Sequence, residues 1–384
     1  MIISASRRTD IPAFYVEWFM NRIRDGFCIV RNPLNPAQET RVSLAPADVD
    51  ILVFWTRQPR PLMPHLPELE RRGYRFFFLY TVTGNARPFE GHAPAASEAV
   101  PAFLELADRV GADRVIWRYD PIVLAAQTDT GRHAAAFRQI ATALAGATHR
   151  CIISPLTVYR KNAPRLGSLT EQGLGVYDDW RTAAPELIPT LAAISRANGM
   201  EIQSCASAAD FSPWGVPAGK CIDDAWIRRV FGTEVSPRKD PSQRATCGCV
   251  VSKDIGAYDT CLFGCAYCYA TRSTELARAN FSRHRPDSPL LLPRGDLRNQ
   301  GSAFAGPAAD KSGCQGSGSF TTLSRPPLVV TPMSTKRRRL SVHALSHAPD
   351  PSAPTTSHLP PSSYRTISPA PPDHDGGGVT SCRA

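Results

Sequence analysis

The sequence predicts an α/β fold, a (βα)6 partial barrel of TIM type, on three observations. Residues 1–205 repeat one rhythm: a short β-branched or aromatic run, a polar loop, then a helix-length amphipathic segment. The runs, such as ILVFWT at 51–56, RFFFLYT at 75–81 and RVIWRY at 114–119, are almost continuously apolar, as in strands covered on both faces. Several of them also run into polar residues, at the strand ends where α/β folds bind ligands.

Taken in order, the expected strands are 2–6, 51–56, 75–81, 114–119, 151–154 and 201–205, with helices near 14–25, 63–72, 98–111, 132–147 and 183–198. Six strands alternating with helices call for a parallel sheet, and right-handed crossovers curl it into a full or partial barrel. An open doubly wound sheet is the competing architecture. The first strand leads into Ser6-Arg7-Arg8-Thr9-Asp10 and the second into Thr56-Arg57-Gln58-Pro59. The third leads into Thr81-Val82-Thr83-Gly84, the fourth into Arg118-Tyr119-Asp120-Pro121 and the fifth into Tyr159-Arg160-Lys161. Asp and Thr there also suit capping of the next helix. Several cations at one rim are harder to explain by capping alone.

The chain has 384 residues and a net charge of +10, and residues 291–384 supply +5 of it. That stretch holds 13 of the 35 prolines, 14 serines and no glutamate, which reads as a disordered low-complexity tail whose basic run 336–339 is solvated. The remaining +5 is ordinary for an enzyme and is no signature of nucleic-acid binding. No apolar run approaches the roughly 18–20 residues of a membrane span. The N-terminus has its apolar residues before its arginines, the reverse of a secretory signal. A cytoplasmic protein without membrane contact is expected. The folded part divides into a barrel at 1–205 and a cysteine-rich, loop-rich segment at 206–290 closing its mouth.

Cysteine usage is the informative departure. Of 11 cysteines, seven lie between 205 and 268, which in a reducing compartment suggests metal ligation. Cys261-x3-Cys265-x2-Cys268 is the strongest signal. Three thiolates in one tight loop can hold three irons of a [4Fe–4S] cubane and leave the fourth iron open. Zinc sites show paired C-x2-C units with a distant partner pair, so the trio favours iron–sulfur. Cys205, Cys221, Cys247 and Cys249 are candidates for a second metal, an Fe–S cluster or zinc. Against that, Cys247-Gly-Cys249 is a cramped spacing and free cysteine is common in cores. Cys28 and Cys151 lie in apolar surroundings and read as core. His65, His92, His133, His149 and His284 show no metal-like pairing, and no Ser/His/Asp order or phosphate loop stands out.

The trio, with an aromatic residue before its last cysteine, resembles the radical S-adenosylmethionine signature, and Cys265-Ala-Tyr-Cys268-Tyr269-Ala270 is similar to its form in spore photoproduct lyase and relatives. The wider pattern resembles the bacterial family called domain of unknown function 1848. It rests on residues 4–12 (SASRRTDIP), 54–59 (FWTRQP), 118–121 (RYDP), 221–223 (CID), 247–249 (CGC) and 254–256 (DIG), and covers residues 1–290.

The resemblance implies a [4Fe–4S] cluster chelating S-adenosylmethionine, and a 5′-deoxyadenosyl radical that abstracts hydrogen from an unknown substrate. It also implies a flavodoxin- or ferredoxin-like electron donor. In most such enzymes the trio follows the first barrel strand, whereas here it follows all six. Either the barrel is circularly permuted or the loop folds back over the mouth. Adenosylmethionine contacts are expected from Arg7, Arg8, Thr9, Asp10, Thr56 and Arg118. The alternative function is a non-catalytic Fe–S or zinc protein in redox or nucleic-acid handling. Repair of damaged nucleic acid is a weaker idea, since Trp55, Trp117 and Trp214 serve equally well as core.

Overall fold

A computed structural model of the chain describes residues 1–294 except 178 and 179. The tail expected from residue 291 lies, beyond Arg294, outside the described residues. The strands are β1 (Ile2–Ala5), β2 (Phe27–Asn32), β3 (Asn35–Ser43), β4 (Ile51–Thr56), β5 (Phe76–Thr81), β6 (Val115–Ile122), β7 (Arg150–Pro155), β8 (Glu201–Ser204) and β9 (Lys253–Asp254). The helices are α1 (Ile11–Phe14), α2 (Val16–Asp25), α3 (Leu66–Arg71), α4 (Arg87–Glu90), α5 (Ala96–Val110), α6 (Thr130–Ala143), α7 (Ala163–Glu171), α8 (Trp180–Ala197), α9 (Asp224–Phe231) and α10 (Thr274–Arg283).

All six expected strands and all five expected helices are present, within a few residues of their expected ends. The sheet has seven strands in the order β8-β7-β6-β5-β4-β1-β9, and every pairing in it is parallel. The fold is therefore α/β around a seven-stranded parallel sheet. β2 and β3 form a separate antiparallel hairpin.

The continuous apolar runs have the cause expected of them, burial of both sheet faces. Leu52, Phe54, Phe76, Phe78, Trp117 and Tyr119 face a core shared with Trp18 and Phe19 of α2, Leu66 of α3, Phe103 of α5, Phe137 of α6 and Leu191 of α8. Phe54 stacks on Phe78 at 5.0 Å and meets Phe19 edge-on at 5.4 Å, and such pairs add about 0.5–1.5 kcal/mol each beyond area burial. The alternate residues Val53, Trp55, Phe77, Leu79, Ile116 and Ile152 face the opposite side. There Ile222, Trp226, Ile227 and Val250 cover them, together with Cys205, Cys221, Cys247 and Cys249. The crossover helices thus lie on one face, and residues 205–250 fill the other.

The loop-rich segment also contains order. Asp223 caps α9 by accepting from the Ala225 amide, and Gly232 closes it in the left-handed conformation. α10 packs back on α2, where Tyr15 meets Phe281 edge-on and the Trp18 indole donates to the Ser288 carbonyl at 2.9 Å. The described residues belong to one compact unit. Among them no helix is long and apolar enough to cross a membrane.

Candidate functional site

A cavity of about 380 Å3 opens at the C-terminal ends of the strands. Each strand of the main sheet except β9 delivers a residue to its wall directly or just beyond its end: Ser6, Thr56, Thr81, Asp120, Ser154 and Cys205. Arg7, Arg8, Thr9, Asp10, Thr56 and Arg118 all line it, as do Cys261, Cys265 and Cys268 and also Cys205, Cys221, Cys247 and Cys249. Thirteen residues scattered over the sequence therefore meet in one space. Of the other rim cations Arg57 lines it as well, whereas Arg160 and Lys161 do not.

The loop with the trio follows β9, the edge strand beside β1. Its course is set by backbone contacts: His92 N donates to the Phe263 carbonyl at 2.7 Å and Ala266 N to the Phe89 carbonyl at 2.9 Å. Gly91 sits at φ +54, and a Cβ there would lie 2.6 Å from the Phe263 carbonyl oxygen, so the close approach requires glycine. Arg165 donates to the carbonyls of Ala266, Cys268 and Arg272. Ala266 and Tyr267 pack into a small apolar cluster with Phe89, Val123 and Leu156.

Beneath the loop Arg57 forms an ion pair with Glu90, a residue in no motif of the sequence. Arg57 Nη1 and Nη2 meet Glu90 at 2.9 and 3.1 Å, and the Tyr267 hydroxyl donates to Glu90 at 2.6 Å. Despite its burial the Glu90 carboxyl is held below its usual range, chiefly by the Arg57 charge. Burial pushes the Cys265 thiol up to about 12, and raises Cys261 as well.

Asp10 caps α1 by accepting from Ala13 N, and also accepts from Thr56 Oγ1 at 2.8 Å and Arg57 N at 2.6 Å. Burial nonetheless pushes its carboxyl up to about 7. The capping and rim expectations for Asp10 are therefore both met, and the Thr56 hydroxyl is engaged within the protein. Asp254 of β9 accepts from Ser4, Ser6, the Arg7 amide and Arg8, and nothing in the sequence pattern pointed to that role.

The second thiol group is buried, whereas the trio is half-buried. Cys221 Sγ lies 3.1 Å from Cys205 Sγ, and the Ile222 amide donates to Cys249 Sγ at 3.4 Å. Hydrogen bonds from Cys221 and Cys247 lower the Cys249 thiol, and the bond from Cys221 lowers Cys205. Cys221 and Cys247 are raised as the donors. Cys28 and Cys151 are fully buried in the core, as expected. His133, by contrast, is a core residue held between Tyr119 and the Val123 carbonyl. Among the described residues no group of three or more Cys, His, Asp or Glu side chains is arranged, as it stands, to hold a metal ion.

No curated protein and no solved structure matches the chain. A family described as "Domain of unknown function (DUF1848)" matches residues 2–270, a span that includes every residue named at the cavity wall, and the chain belongs to that family.

Proposed function

We propose that the protein is a radical S-adenosylmethionine enzyme built on a partial barrel of TIM type. The observation that carries this is the position of the cysteine loop: it leaves edge strand β9 and brings Cys261, Cys265 and Cys268 to the cavity at the strand ends. Counted from β9 to β8, the strands follow one another without reversal and their crossover helices cover one face. A rolled sheet needs that order, whereas a doubly wound sheet reverses and carries helices on both faces. In this count the cysteine loop follows the first strand, so its late place in the chain is a circular permutation.

The donor set suits a [4Fe–4S] cluster, since three cysteines share the loop and no fourth lies within it. Thiols raised by burial ionise only beside a cation, so loading releases protons. When bound, the cluster with S-adenosylmethionine supplies one-electron cleavage to a 5′-deoxyadenosyl radical that takes hydrogen from the substrate, with a flavodoxin- or ferredoxin-like protein as donor. The chain's own residues orient and shield. Arg57, Glu90 and Tyr267 fix the loop, and Trp55, Phe263 and Tyr269 wall the cavity. Cys205, Cys221, Cys247 and Cys249 suit a second thiophilic site, for zinc or a further cluster, because all four line one cavity wall and the Cys205 and Cys221 sulfurs lie 3.1 Å apart.

The full chain, purified anaerobically and reconstituted with iron and sulfide, tests this. With dithionite and S-adenosylmethionine it is expected to release 5′-deoxyadenosine. Cys265→Ala is expected to abolish release and lower iron while leaving any metal of the second thiol group. An intact cluster without 5′-deoxyadenosine, or a colourless protein that binds only zinc, overturns the assignment in favour of a non-catalytic metal protein.

A further inference from the structure

We propose that the side of the cavity formed by Arg7, Arg118 and Trp55 is an anion-binding site, and that it holds a carboxylate or phosphate group of the substrate. This deepens the assignment above by naming a substrate class, and the anion site itself needs no cluster to be tested.

The cavity wall carries five guanidinium groups, from Arg7, Arg8, Arg57, Arg118 and Arg244, against two carboxylates, Asp10 and Asp120. Three of the five are neutralised within the protein: Arg57 by Glu90, Arg8 by Asp254 and Arg118 by Asp120. Arg7 and Arg244 form no ion pair with a carboxylate among the described residues; the group of opposite charge nearest in effect to Arg7 is the Cys249 sulfur. Arg7 Nη1 donates to Ser252 and Arg244 Nη1 to Thr157, hydroxyls in both cases.

The remaining donors are the telling ones. Arg7 Nη2 and Arg118 Nε are both buried, and neither has a hydrogen-bond partner among the described residues. Both guanidinium groups rest against the same indole, 5.1 and 4.8 Å from the Trp55 ring centre. A buried donor left unsatisfied costs about 1–3 kcal/mol, more when charged. Arg118 has Asp120 beside it, whereas Arg7 has no carboxylate partner among the described residues, so an anion that accepts from both satisfies the N–H groups and the Arg7 charge together. Guanidinium groups suit carboxylate and phosphate by shape as well as by charge.

The site adjoins both thiol groups: the Tyr269 hydroxyl, next to Cys268, donates to the Arg7 carbonyl at 2.8 Å, and Cys205, Cys221, Cys247 and Cys249 line the same cavity. Arg7 and Arg8 also line a neighbouring cavity of about 530 Å3 that includes Arg31 and Lys253. Asp240 and Asp254 share that lining, so the two cavities are joined by arginine side chains rather than by a uniformly positive wall.

The test uses the full chain without added iron, titrated calorimetrically with inorganic phosphate and with malonate at low salt. One saturable site per chain is expected for at least one probe. Arg7→Met and Arg118→Met are each expected to weaken it at least tenfold, with Arg7→Lys and Arg118→Lys restoring part of the loss and thermal unfolding verifying that each variant folds. Repeating the titration on the chain reconstituted with iron and sulfide, with S-adenosylmethionine present, separates two sources of the anion. Undiminished probe binding supports the substrate, whereas competition overturns that part and gives the site to the cofactor's own carboxylate. Absence of saturable binding of either probe, or equal binding by wild type and both methionine variants, overturns the anion site itself. Neither result depends on whether 5′-deoxyadenosine forms.

Discussion

Glu90 accepts hydrogen bonds from Arg57, Thr83, Asn85 and Tyr267, and its side chain is 7% exposed. A carboxylate so enclosed is stable only while the guanidinium faces it. Glu90→Gln removes the charge and leaves Arg57 buried without compensation, which costs about 3–5 kcal/mol. Urea unfolding should show a loss of that size, whereas Tyr267→Phe, which deletes the hydroxyl's bond to Glu90 and the one it accepts from Arg57 but keeps the ion pair, should cost about 2 kcal/mol. Equal small losses would mean that water relieves Arg57. Glu90 was not legible in the sequence, because it sits at the end of a four-residue helix in no motif and acquires its role from Arg57, 33 positions away. Cys261, Cys265 and Cys268 were legible because their spacing is local.

Among the elements, legibility followed the number of faces buried. β4 and β5 are buried at every position, so composition alone marked them. The β2–β3 hairpin was missed although β2 opens on the apolar run 27–30, because its partner β3 is largely polar and carries no strand pattern of its own: Cys28 pairs with Val42 but Val30 with Thr40. β9 has two residues, too few for any pattern. A side chain holds it in place as much as its ladder does, since Asp254 accepts from Ser4, Ser6, Arg7 N and Arg8 while Ile255 N reaches the Ser4 carbonyl at 3.0 Å. Asp254→Ala leaves those donors without a partner and should release the segment leading to the cysteine loop. Hydrogen exchange at the Ile255 amide is expected to rise at least tenfold, with β4 and β5 unchanged. Unchanged exchange at Ile255 would show that backbone pairing suffices.

For the whole molecule, buried ionisable groups set the response to acid. Burial lowers the His133 pKa, and does so against the Val123 carbonyl, which favours the charged ring. The neutral ring accepts from the Tyr119 hydroxyl at Nδ1 and donates from Nε2 to the Val123 carbonyl, a tautomer assigned from the partners. The unfolded chain therefore takes up this proton first. The stability due to His133 is fully present above the ordinary pKa of about 6.5 and is lost as pH falls through the lower folded value. Glu68 acts further down: hydrogen bonds from Arg24 and Arg72 bring it to about 2, so its contribution disappears between the ordinary value of about 4.3 and that point. Asp10 has the opposite sign. Raised to about 7 by burial, it favours the folded state at low pH, and that contribution fades as pH rises from about 4 through 7. Between pH 4 and 6.5 the two buried groups oppose each other. His133→Gln retains an acceptor for Tyr119 and a donor for Val123 but cannot titrate. Its melting temperature, followed from pH 7 to pH 4, should therefore hold steady or rise on acidification, as Asp10 then acts unopposed, while the wild type falls relative to it. Parallel curves for the two proteins would mean that His133 protonates in place, and that the acid response belongs to Glu68 and the other carboxylates alone.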